Sequence, residues 1–192
     1  MAYECFTVDI RDKVAHVKLN RPEALNSMVR AFWYELPQIV NGLDRSGAAR
    51  AIVLSSTGKH FTAGMDLSVF TEGNSSAGKE PGRVRANLVR TVLALQQSFS
   101  SLEEARIPVL AAIQGGCIGG AVDLATACCL RYATRDAWFV IQEINLGMMA
   151  DVGTFNRMPK QLPEAVVREL GYTGERLGAE RAERLGFVNG LY

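Results

Sequence analysis

The chain is poor in the residues that build metal centres and disulfide frameworks. Its four cysteines, Cys5, Cys117, Cys128 and Cys129, form no CxxC pair, and it has only two histidines. Zinc ligation needs closely spaced Cys and His groups, so no metal is expected. The thiols read as buried and inert, in a reducing cytosol. No apolar run approaches the roughly 20 residues that span a bilayer, so no membrane partner is expected. The first residues lack the positive start and apolar run of a signal peptide. Excess charge is also missing. Net charge is +1, from 21 Lys and Arg against 20 Asp and Glu, with no basic block. That argues against a nucleic-acid partner, whose phosphates require clustered cations.

Motif chemistry is thin as well. The glycine cluster at 115–120 fails GxGxxG, because Cys117 stands where the second glycine belongs. It fails the P-loop, because Gly120 is followed by Ala121 and Val122 rather than by Lys and a hydroxyl residue. No GxSxG elbow is present.

What remains is an ordinary globular composition, 48% apolar and 21% charged over 192 residues. It suits one domain with a sizeable core. Residues 5–10 and 15–19 alternate apolar and polar around residues 11–13, the pattern of a β-hairpin with one buried face. His16 then falls on its solvent side. Residues 20–26 read as a loop, and Ser27 as the cap of a helix with apolar residues at 28, 32, 36, 39 and 43. Pro37 lies inside that pattern and predicts a kink or break. Residues 51–54 read as a buried strand, and His60 as exposed loop. Residues 71–82 read as a mobile loop, followed by a long amphipathic helix over 84–102. Residues 109–113 predict a buried strand, 115–120 a glycine turn, and 121–129 a helix. Short strands are expected at 130–134 and 138–141. Helices are expected from 151 to about 162, from 163 to 170 and over 179–185, and a strand is expected to begin at 187–188. Strands alternating with helices give an α/β fold.

Two glycine-bearing turns follow apolar strands, Ala63-Gly64-Met65 and Gly119-Gly120. Backbone N–H groups from two such turns can converge on one developing negative oxygen. Either turn can equally be a tight strand-to-helix connection. Three acids accompany them. Asp123 opens a helix, where by itself it would complement the macrodipole. Asp151 would by itself be an N-cap. Glu143 and Asp151 lie in apolar stretches with few cations nearby. Burial would raise their pKa values and let them carry protons.

At these residues the chain resembles the crotonase superfamily, the enoyl-CoA hydratases and isomerases. Asn20-Arg21-Pro22 with Ala24-Leu25-Asn26 is similar to the family's N-terminal loop. Residues 61–67 are similar to its first oxyanion segment, and residues 115–120 to its second. The resemblance implies a spiral ββα core that takes an acyl-CoA thioester, whose oxygen accepts N–H bonds from Met65 and Gly120. Ala63, Gly64, Asp66 and Leu67 would line the acyl-CoA site, with Ala24 and Leu25 also approaching the CoA. Asp123, Glu143 and Asp151 together resemble the Δ3,5-Δ2,4-dienoyl-CoA isomerase branch. There Asp151 would remove a proton from the second carbon, Glu143 would deliver one to the sixth, and Asp123 would support Glu143. No cofactor is implied, CoA being part of the substrate. Family members run on into a C-terminal helical segment that covers the acyl site and mediates homotrimer or dimer-of-trimers contacts. That segment is expected to be missing here. Hydratase, Δ3-Δ2 isomerase and non-catalytic acyl-CoA binding are the competing expectations.

Overall fold

The computed structural model describes residues 3–71 and 80–192. Strands β1 (Phe6–Arg11) and β2 (Val14–Leu19) form the expected hairpin, with Phe6 opposite Leu19. Its two-residue turn holds Asp12 and Lys13 at positive φ, the twist that two-residue hairpins favour. β2 alternates cleanly, with Ala15, Val17 and Leu19 buried. His16 on its other face is half-buried rather than solvent-facing, because its register partners Asp9 and Val53 flank it on both sides.

Helix α1 (Arg30–Ser46) runs unbroken through Pro37. A proline in a helix interior costs about 3 kcal/mol. Six apolar side chains on the inner face, among them Phe32, Trp33 and Leu36, are buried. Each contributes roughly 1.5–3 kcal/mol, so packing overrides the local break. Ser27 does not cap this helix. Val29 is the N-cap and makes no side-chain cap bond, while the Ser27 hydroxyl donates to Asp66 Oδ2 at 2.8 Å.

β3 (Ala51–Ser56) leads to the short helix α2 (Ser68–Thr71). The expected loop at 71–82 falls mostly outside the described residues. Its end is ordered: Glu80 accepts from Gly82 N and Arg83 N and caps α3 (Pro81–Glu104). The C-terminal half of α3 buries Phe99 and Leu102 against α1, with Trp33 and Phe99 rings 5.1 Å apart.

β4 (Val109–Ile113) is followed by a short strand, β5 (Gly116–Ile118), where only a glycine turn was expected. Then come α4 (Gly120–Ala127), β6 (Leu130–Ala133) and β7 (Trp138–Val140). The helix expected over 151–162 is shorter, α5 (Thr154–Arg157) with a 3-10 turn after it. The chain closes with α6 (Glu164–Thr173), β8 (Leu177–Gly178), α7 (Ala179–Arg184) and β9 (Gly190–Leu191). The strand expected at 187–188 therefore starts later, because Phe187 and Val188 are buried in the core instead.

One sheet has the order β1-β2-β3-β4-β6-β9, parallel from β2 onward. A second has the order β5-β7-β8. β4 runs in the first sheet and β5 in the second, so Gln114 and Gly115, the latter at φ +57°, turn the chain from one to the other. Cys5, Cys117 and Cys128 are buried, but Cys129 is exposed, against expectation, at the end of α4 where the chain surfaces.

Candidate functional site

Gly64 lies in the turn beyond β3, and Gly119 and Gly120 follow β5. The two stretches are joined edge to edge. Thr62 pairs with Cys117 in a parallel bridge, in which Thr62 N donates to Gly116 O at 3.3 Å and Ile118 N to Thr62 O at 3.2 Å. Gly64 has φ +83°, and a Cβ added there would stand 2.4 Å from Ile118 O and 3.3 Å from Gly120 N. A Cβ on Gly120 would stand 3.7 Å from Met65 N. Only glycine at 64 allows that approach. Among the described residues, neither the Met65 N–H nor the Gly120 N–H is given to a protein acceptor. Both are therefore open to an outside one.

The first turn is held by residues that sequence reasoning gave no role. Asn26 is buried, and its side-chain amide donates to Thr57 O at 2.7 Å and His60 O at 3.3 Å. Its Oδ1 accepts from Arg21 N at 2.8 Å. Thr62 donates its hydroxyl to Asn26 O at 2.7 Å and accepts from Gly64 N at 3.0 Å. Met28 N donates to Gly64 O, and Ala63 N to Leu25 O. Thus the loop carrying Ala24 and Leu25 is laid beside Ala63, Gly64 and Met65. Leu25 and Leu67 are exposed at the rim. Asp66 turns its carboxylate inward to Ser68 and Ser27, which hold it below the ordinary carboxylate range. It braces the turn. His60 is not exposed loop: half-buried, its Nδ1 accepts from Gly116 N at 2.9 Å.

The acids occupy three different settings. Asp123, in the first turn of α4, is fully buried. Its Oδ1 accepts from Thr154 N at 2.6 Å, while Oδ2 is buried without a partner. Burial pushes its pKa up to about 6, against the opposing pull of the Thr154 bond and the Arg157 charge. Glu143 opens a 3-10 turn after β7 and lies against Gly119, where an added Cβ would meet its Oε1 at 3.1 Å. Its Oε2 is also buried and unpartnered. Burial and the neighbouring Asp123 charge raise Glu143 to about 7.

Asp151 is exposed, contrary to the reading of its apolar flanks. Ala150 and Val152 are buried and carry the chain, leaving the side chain between them outside. Asp151 is not a cap either. Gly153 is the N-cap of α5, and the Asp151 carbonyl accepts from Gln96 Nε2 at 2.6 Å. Asp151 still contributes to the field that raises Glu143 and Asp123, so the three acids form one electrostatic group.

A separate cleft of about 340 Å³, lined by Lys59, His60, Gly115, Asp136, Trp138 and Arg176, contains none of these acids. The described residues hold no cluster of His, Cys, Asp and Glu suited to a metal, and none of their helices is long and apolar enough to cross a membrane.

Known proteins resemble this chain in sequence and fold. The enoyl-CoA hydratase/isomerase family profile matches residues 9–192. The mouse (Mus musculus) mitochondrial Δ3,5-Δ2,4-dienoyl-CoA isomerase is 40% identical over 99% of this chain and 59% of its own length. The peroxisomal enzyme of that name from Arabidopsis thaliana is 39% identical over 93% of this chain and 65% of its own. The chain thus spans about three fifths of the length of these relatives. Among solved structures, an enoyl-CoA hydratase/isomerase from Marinobacter aquaeolei superposes with a TM-score of 0.89 at 25% identity, covering 98% of this chain and 70% of that one. A Thermobifida fusca YX protein assigned to the enoyl-CoA hydratases, solved with acetoacetyl-CoA, gives 0.86 at 28% identity, covering 97% and 73%. Profile, relatives and folds agree over nearly every residue, and the chain belongs to the enoyl-CoA hydratase/isomerase family.

Proposed function

We propose that this chain binds a 3,5-dienoyl-CoA and moves its double bonds to the 2,4 positions. One observation carries the reading. The open N–H groups of Met65 and Gly120 lie side by side, and the raised carboxyl of Glu143 rests against Gly119, next to Gly120. An oxygen taking up charge can be stabilised there with a proton donor at hand.

The proton on the second carbon of a 3,5-dienoyl thioester is acidic, because its removal gives a dienolate. The Asp151 carboxylate takes that proton. The electron pair moves through the conjugated system, and charge collects on the thioester oxygen, which accepts from Met65 N–H and Gly120 N–H. Each such donor is worth roughly 10²–10³ in rate. The pair then returns to the chain at the sixth carbon, where it takes a proton from Glu143. Asp123 supports Glu143, since its charge raises the Glu143 pKa. Ala24, Leu25, Ala63 and Leu67 flank the thioester. Burial raises Glu143 and suits it to deliver a proton, while Asp151 stands exposed in the turn before α5.

The whole enzyme's assembly, a homotrimer or a pair of trimers, is part of the same proposal. So is a cytosolic location, although the two relatives named above are mitochondrial and peroxisomal.

Ultraviolet absorbance tests the reading directly. The 2,4-diene absorbs strongly, so a 3,5-dienoyl-CoA should give rising absorbance with added protein. Faster hydration of a 2-enoyl-CoA would make the chain a hydratase. Tight CoA-ester binding with turnover of neither substrate would make it a non-catalytic binder.

A further inference from the structure

Arg157 ends α5 and is almost completely buried. Its Nε donates to Glu103 Oε2 at 2.6 Å and its Nη2 to Ser100 Oγ at 3.1 Å, both on α3. Its Nη1 donates to Val152 O at 3.2 Å. One planar guanidinium thus ties the turn at 151–154 to the long helix behind it. Space for it is made by Gly153, whose φ is +134° and where an added Cβ would stand 1.7 Å from Nη1. The next residue, Thr154, donates its N–H to Asp123.

We propose that Arg157 is a positioning residue for the acid pair. It latches the 151–154 turn onto α3, holds the Thr154 N–H against Asp123, and keeps Asp123 as the ionised member so that the movable proton resides on Glu143. The inference rests on the catalytic reading of Asp123 and Glu143.

The charged surroundings are unequal. Arg157 pulls Asp123 toward ionisation, Asp151 pushes the other way, and both Glu143 and the buried Cys117 thiol sense the Asp123 charge. Two carboxyls in one buried site do not both ionise readily, and the better-compensated one ionises first. Each acid keeps one buried oxygen without a partner, but Asp123 also has the Thr154 bond at 2.6 Å and the guanidinium charge. Arg157, itself paired with Glu103, thus acts on Asp123 chiefly by holding the Thr154 N–H in place and secondarily by its charge. The fork shape matters as much as the charge, because a lysine ammonium cannot span Glu103, Ser100 and Val152 at once.

Carboxyl ¹³C NMR titration of Asp123 and Glu143 in wild type, R157Q and R157K tests this, with kcat and KM on a 3,5-dienoyl-CoA measured beside it. In R157Q the Asp123 midpoint should rise by about one pH unit or more. Its kcat should fall at least about tenfold, with KM within about threefold. R157K should lie between wild type and R157Q in both readouts. An unmoved Asp123 midpoint in folded R157Q overturns the proposal, as does a loss confined to KM. If R157Q does not fold, R157K decides: identity with wild type in both readouts overturns the latch. Wild type without turnover on the dienoyl thioester sinks the catalytic reading alone, because the titrations still decide the role of Arg157.

Discussion

A Cβ placed on Gly64 would stand 2.4 Å from the carbonyl oxygen of Ile118. No side chain rotation relieves such a contact, because both groups belong to backbone. Gly64→Ala must therefore either part the two turns or strain residue 64, already at φ +83°. We expect a stability loss of about 1–3 kcal/mol in thermal or denaturant unfolding. Turnover should fall by about 10² or more, since the Met65 and Gly120 N–H groups separate. Wild-type turnover in Gly64→Ala would remove the two-turn cradle from the mechanism.

The acid pair gives stability a pH dependence of definite sign. Burial raises Asp123 from 3.8 to about 6 and Glu143 from 4.5 to about 7. The folded chain thus holds these protons more tightly than the unfolded one. Their stabilisation is complete below the unfolded values and is lost as pH rises through about 6 and about 7. Asp123→Asn keeps an oxygen for Thr154 N and cannot ionise. Its melting temperature should exceed that of wild type at pH 8 and match it near pH 4. The gain at pH 8 should be on the order of 3 kcal/mol. Equal pH slopes in variant and wild type would contradict the buried-acid account.

Glu143→Gln and Asp151→Asn test the two proposed ends of the proton transfer separately. Each should lower kcat for diene migration by about 10²–10⁴ with little change in fold. In wild type, the step that needs a protonated Glu143 should slow as pH rises through about 7. Asp151→Asn retaining the full rate would show that another group removes the proton.

Asn26→Ala leaves the Thr57 carbonyl and the Arg21 N–H without their side-chain partner, and the His60 carbonyl with Ser56 Oγ alone. A buried network of this kind should cost about 2–4 kcal/mol. KM for an acyl-CoA should rise as well, because the Ala24–Leu25 loop loses its anchor. Unfolding in denaturant and steady-state kinetics read the two effects separately.

Much of this was legible in the sequence. The apolar spacing of α1, the β4 run and the β2 half of the hairpin appear as written, whereas on β1 the expected buried face fades from Phe6 to an exposed Ile10. The glycine turns stand out by residue type, while the three acids gain a role only through the likeness to the crotonase superfamily. What escaped was long-range. Residues 116–118 pair with β7, which no local pattern within a three-residue segment can announce. Pro37 looked like a break because its cost is local, while the packing that outweighs it is not. Asp151 looked buried because its neighbours are, yet a turn exposes one residue between two buried ones. Asn26 and Arg157 act on groups tens of positions away.

The Thr62–Cys117 bridge and the Asn26 bonds also bear on how the chain folds. Asn26 reaches Thr57 across 31 positions, and Arg157 reaches Glu103 across 54. Loops of that length must close before any of these contacts forms, and parallel sheets already fold slowly for that reason. The Met65 and Gly120 turns are therefore expected to come together late in folding. In a refolding experiment, recovery of acyl-CoA binding should trail the return of helical circular dichroism. The interval between the two signals would time the closure of the last loop.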